Sequence, residues 1–148
     1  MKIGDAGIAL IKEFEGFRKA PYLCSAGVPT IGYGSTMYAD GKKVKMSDVS
    51  ISEVTALELF HETLHKYEQT VNKAITMPLT QNQFDACVSL CYNIGQGNFA
   101  SSTLVKELNK SVPIEEVSAQ FLRWNKAAGA VSAGLSRRRK AEQTLFLS

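Results

Sequence analysis

Residues 10–34 read LIKEFEGFRKAPYLCSAGVPTIGYG, and a change of rhythm inside this stretch decides the fold. Up to Phe14 the apolar residues follow a helical period. Ile8, Leu10, Ile11 and Phe14 share a face, and Asp5 stands where an N-cap is expected. Gly16 can take the left-handed conformation that ends helices. A helix over 5–15 then leaves Glu15 at its end, beside a break. From residue 17 to residue 46 the pattern is different. Glycines at 27, 32, 34 and 41 and prolines at 21 and 29 alternate with β-formers: Tyr22-Leu23, Val28, Thr30-Ile31, Tyr33 and Lys43-Val44. Such spacing predicts short strands and tight turns in a small antiparallel sheet.

Beyond this the chain reads as helical to its end. Ser50 or Ser52 can cap a helix running to about Val71, and Pro78 and Thr80 open the next. Thr80-Gln81-Asn82-Gln83 fits a capping box, followed by Phe84, Val88, Leu90 and Cys91 as an inward stripe ending near Gly95. A short helix is expected from Ser102 to Asn109. Another starts at Pro113, with Glu115 and Glu116 near its N-terminal dipole, and reaches Trp124. A loop with Gly129 and Gly134 leads to a basic last helix, Ser136 to Phe146. The fold class is therefore α+β. We expect one bilobal domain over 1–148: a small sheet lobe at about 16–48, a helical lobe at about 50–148 with helix 5–15 packed on it, and the site in a cleft between them.

The 148 residues are 45% hydrophobic and 21% charged, enough for a core that needs no disulfide or metal in order to fold. A net charge of +3 suits an anionic partner such as cell wall, lipopolysaccharide or nucleic acid. Three cysteines rule out a fully paired framework. Cys87 and Cys91, four apart on a helix, read as buried thiols, and the usage suggests a reducing compartment. No run approaches the ~20 apolar residues of a membrane span. Asp5 and Lys12 interrupt any signal-like segment, so accumulation in the cytoplasm of the producing cell is expected.

Three constellations could carry chemistry. In the first, eight residues separate Glu15 from Cys24 and five separate Cys24 from Thr30. Cleaving a glycosidic bond needs an acid for the leaving oxygen. A Glu on a rigid helix end, facing a strand region rich in glycine where a polysaccharide can approach the backbone, meets that need. In the second, His61-Glu62-Thr63-Leu64-His65 matches H-E-x-x-H, the helical pair of zinc peptidases. Lys66 follows at once, no Gly-x-x-His continues it and no further histidine exists, so a catalytic metal is not expected. In the third, Arg137-Arg138-Arg139-Lys140 could touch phosphates, but no nucleic-acid-binding signature accompanies them, and a solvated basic face is the plainer reading for at least two of the four.

The pattern Glu15-x8-Cys24-x5-Thr30 with Gly32-Tyr33-Gly34 resembles the phage-type (T4-like) lysozymes, glycoside hydrolase family 24. So do Leu10 to Gly16, Tyr92-Asn93-Ile94-Gly95 with Gly97 and Phe99, Ser102-Thr103-Leu104, Phe121 to Asn125, and Gly134-Leu135 with Arg138-Arg139 and Glu142. The likeness spans nearly the whole chain and is nearest to endolysins of lambdoid phages and prophages. It implies a lysozyme-like fold and a muramidase that cuts the β-1,4 bond between N-acetylmuramic acid and N-acetylglucosamine and so lyses the host, with no cofactor. Glu15 would be the general acid, while Thr30 and Cys24 would manage the water. Most relatives carry Asp at position 24; a thiol there orients water less strongly when neutral and can act as a nucleophile when ionised. Gly32, Tyr33 and Asn93 would line the sugar site, and a basic residue, Arg138 among the three arginines, would pair with Glu15. Peptidoglycan is the implied partner, with a holin giving a cytoplasmic monomer access to the periplasmic wall and with no nucleic acid or stable membrane association. The alternatives are a lytic transglycosylase on the same bond, a zinc peptidase through the HETLH stretch and a wall-binding module without activity.

Overall fold

The computed structural model describes residues 1–148. Helix α1 covers Asp5–Glu15, strands β1 Arg18–Leu23 and β2 Pro29–Gly32 follow, and α2 covers Glu53–Ala74. The remaining elements are α3 Gln81–Ile94, α4 Gln96–Ala100, α5 Thr103–Asn109, α6 Ile114–Ser118, a 3₁₀ turn Ala119–Arg123, a hairpin of β3 Lys126–Ala127 and β4 Ala130–Val131, and α7 Ala133–Leu147. The packing divides the chain into two compact units, Lys12–His65 and Met1–Ile11 with Lys66–Ser148. Helices α1 and α2 contribute to both.

The sheet-bearing unit is built on one antiparallel pair. Tyr22 stands opposite Thr30 and Leu23 opposite Pro29, while an irregular register separates these pairs from Arg18 and Gly32. A minor core of Ile31, Val44 and Leu59, with Tyr38 and Ile51 against it, lies beneath the strands. This unit reaches well past residue 48 because the first turns of α2 belong to it. A Cβ added to Gly32 would lie 3.2 Å from the Ala56 Cβ, and Phe60 packs on Tyr33 with ring centroids 5.6 Å apart. Gly32 also has φ +69, so that position is reserved for glycine by backbone conformation and by closeness to α2.

In the helical unit α3 packs along α7, and α7 against the 3₁₀ turn. Phe84, Cys87, Val88, Leu90, Cys91, Phe121 and Phe146 are buried there. The start of α1 departs from expectation. Asp5 is the first helical residue rather than its cap. The exposed amides are taken by Asp85 of α3, which is 1% exposed and accepts from Gly4 N at 2.9 Å and Gly7 N at 3.2 Å. A carboxylate from another helix replaces the local cap, and Gly7 permits the approach, since a Cβ there would lie 2.8 Å from the Asp85 Cβ.

Thr80 forms the expected capping box with Gln83, Ser102 caps α5, and Gly16, at φ +70, follows the end of α1. Three expectations change. The helix expected from Pro113 to Trp124 is two short pieces, α6 and the tighter 3₁₀ turn, with the Ser118 hydroxyl donating to the Glu115 carbonyl at 2.7 Å. The loop near Gly129 is a hairpin whose two turn residues, Ala128 and Gly129, both have positive φ, the geometry of a type I′ turn. Finally, α7 begins at Ala133, because Ser132 caps it by accepting from Leu135 N.

Candidate active site

Within Lys12–His65 the hairpin brings two of the three residues of the spaced pattern together. The turn after β1 closes through Cys24 N to the Val28 carbonyl at 3.1 Å and Gly27 N to the Cys24 carbonyl at 2.8 Å. Thr30 is buried on β2 and its hydroxyl donates to the Val28 carbonyl at 2.8 Å. The Cys24 thiol is partly exposed. Burial pushes its pKa up, but hydrogen bonds from the Val28 and Ala26 backbone, and then the interaction with the Thr30 side chain, outweigh this and bring it below the usual thiol value. The turn thus surrounds one sulfur with donors, an arrangement that favours the anion.

Glu15 completes α1 and is partly buried. Its connection to the hairpin runs through Tyr22, which sequence reasoning treated only as a strand former. Burial raises the Tyr22 pKa, and the nearby charges of Glu15 and Cys24 raise it further against the opposing pull of Arg18. The Arg18 guanidinium lies over the Tyr22 ring, 4.7 Å from its centroid. Tyr22 therefore remains a neutral hydroxyl among the three residues of the pattern. The signal for it was present: alternation places the residue two before Cys24 on the same face as Cys24, and the pairing sets it beside Thr30.

Tyr33 and Gly32 were expected to line the sugar site, and both are buried. Tyr33 is 4% exposed; its ring lies between Phe17 and Phe60, with Lys12 over it, and its hydroxyl donates to Glu53 at 2.7 Å. These two residues hold β2 in place.

In the helical unit Asn93 is exposed near the end of α3. Its Oδ1 accepts from Arg139 Nη2 at 2.9 Å. The basic run splits by helical phase: Arg137 and Lys140 are exposed, whereas Arg138 and Arg139 are buried. Both buried arginines meet Glu142, which is fully buried. Arg139 Nε lies 2.8 Å from it and Arg138 Nε 3.4 Å. Ser89 donates its hydroxyl to the same carboxylate. Burial raises the Glu142 pKa, opposed by Arg139 and Arg138. Arg138 Nη2 also donates to the Ser89 carbonyl at 3.4 Å, so the residue expected to face Glu15 and sugar is 4% exposed and held in this network.

Cys87 and Cys91 are free, buried thiols whose pKa values burial raises, that of Cys91 to about 12. His61, Glu62 and His65 lie on the exposed face of α2, and no three His, Cys, Asp or Glu side chains gather as a metal site. No helix is long and apolar enough to cross a membrane.

The phage lysozyme family profile matches residues 12–142. The endolysin of Salmonella phage P22 is 40% identical over 148 residues, covering 100% of this chain and 99% of that protein. The endolysin of Bacillus phage B103 is 42% identical over 149 residues, but this chain spans only 55% of its length. Among solved structures, the muramidase domain of SpmX from Asticaccaulis excentricus superposes with a TM-score of 0.85 at 34% identity, covering 99% of this chain and 98% of that one. The chain belongs to the phage lysozyme family, whose members are glycoside hydrolases acting on peptidoglycan.

Proposed function

We propose that this chain is an endolysin of the muramidase type that hydrolyses the β-1,4 bond between N-acetylmuramic acid and N-acetylglucosamine. Glu15 gives its proton to the leaving glycosidic oxygen. Cys24, as thiolate, takes a proton from a water that the Thr30 hydroxyl helps to hold, and that water attacks the anomeric carbon as the C–O bond breaks. The observation that carries this reading is the Thr30 hydroxyl lying against a thiol whose pKa the turn has lowered. Tyr22 keeps a neutral hydroxyl between the acid and the thiol. Gly32 and Tyr33 act by holding β2, and Asn93 meets the glycan.

The products test the reaction. Digestion of purified peptidoglycan in ¹⁸O water yields reducing muramic acid carrying the label, with inverted anomeric configuration at first release. A 1,6-anhydro product, lighter by one water, indicates a transglycosylase and overturns the hydrolytic step. A retained configuration makes Cys24 the nucleophile instead. Access to the periplasmic wall through a holin and action as a monomer complete the proposal. Co-expression with and without a holin gene tests the first, and sedimentation equilibrium the second.

A further inference from the structure

The buried charges of the helical unit form a chain that ends at the surface. Ser89 and Asn93 stand four residues apart on α3, on the side that meets α7. Ser89 donates to Glu142, Glu142 holds Arg139, and Arg139 donates from Nη2 to Asn93 Oδ1. Arg139 is 0% exposed and its Nη1 donates to the Trp124 carbonyl at 3.4 Å. A guanidinium has five donors and no acceptor, so it dictates which way round the Asn93 amide sits. The carbonyl must face Arg139, and the NH₂ must face outward.

We infer that Arg139 is a positioning residue that fixes Asn93 as a hydrogen-bond donor to a carbonyl oxygen of the glycan, the acetamido group being the acceptor class it fits best. This rests on the muramidase reading above. An unconstrained asparagine could offer either end of its amide to a ligand. Here Arg139 holds the carbonyl end, and the donor end is set outward before substrate arrives, so its ordering cost on binding is small. Glu142 is the anchor that holds the guanidinium in place.

Two substitutions separate this from a merely structural role. Asn93→Asp keeps an oxygen for Arg139 but turns an acceptor toward the substrate. Asn93→Ala removes both ends. If the outward donor matters, the aspartate is the worse enzyme: KM on soluble glycan fragments rises by about 10-fold or more for Asn93→Asp and by about 2- to 10-fold for Asn93→Ala, the range of one lost hydrogen bond. The effect falls on KM more than on kcat, and the aspartate variant melts no lower than the unaltered protein. If the contact with Arg139 is all that matters, the order reverses, with alanine worse and aspartate close to the unaltered protein; that order overturns the inference. Should the unaltered protein release no reducing ends, the muramidase reading fails. The inference is then decided by calorimetric binding of N-acetylated chito-oligosaccharides to the same three proteins, where the same order of Kd supports it and the reverse order, or equal affinities, overturns it.

Discussion

The β1–β2 hairpin and the α3–α7 pair both carry polar groups, but they treat them in opposite ways. The hairpin is short, and its functional groups sit in a turn or at the edge of a small core. Cys24 there is partly exposed and ringed by donors that favour its anion. The helical pair buries two arginines and a glutamate completely or nearly so and gathers both guanidinium groups on the one carboxylate. One region holds reactive charge near solvent, where a substrate can use it. The other pairs buried charge internally and uses it to aim an amide. The sign of a side chain therefore says little about its task until its partners are known.

Breaking the buried network should have the largest effect on stability. Glu142→Ala removes the buried carboxylate that both guanidinium groups meet and should cost about 3–5 kcal/mol, read as a fall in the urea midpoint. A loss under about 1 kcal/mol would mean the network is not holding the core. Asp85→Ala strands the Gly4 and Gly7 amides and should cost about 1–3 kcal/mol, a stability change again without a chemical role.

Changes in the hairpin should do the reverse, altering rate at little cost in stability. Cys24→Ala should lower kcat by about 10²-fold, the lower end of what a positioned acid or base contributes, with the melting temperature within a few degrees of its starting value. Full activity in that variant would remove Cys24 from the mechanism.

A pH profile sharpens the same contrast. The Cys24 pKa is lowered in the fold and the thiolate is the proposed active form, so activity falls as pH drops through that lowered value. The same shift makes ionisation favour folding: the gain is present above the pKa of the unfolded thiol and is lost as pH falls through the folded one. Cys24→Asp replaces the thiol with a group that is ionised down to about pH 4. Its activity should extend to lower pH, and an unchanged acid limb would assign that limb to another group.

Much of the hairpin could be read from the chain because its determinants are local. Gly16 and Gly27 mark positive-φ positions, and alternation sets the register that pairs Tyr22 with Thr30. The aromatic stack around Tyr33 was not legible, because it draws on Phe60, far along the chain. The helical unit was harder for a related reason. The inward stripe of α7 contains Arg138, Arg139 and Glu142, so its periodicity is invisible to a reading that equates charge with solvent. Their burial depends on Ser89 and Asn93, some fifty residues earlier, and Asp85 caps a helix about eighty residues before it. Local rules cannot see those partners.

The most direct test is the rate at which Glu15→Gln releases reducing ends from purified peptidoglycan. Glutamine keeps the size and hydrogen-bonding reach of the side chain but has no proton to give. The account predicts a loss of at least about 10³-fold, with the variant as stable as the unaltered protein. Release within tenfold of the original rate would contradict it.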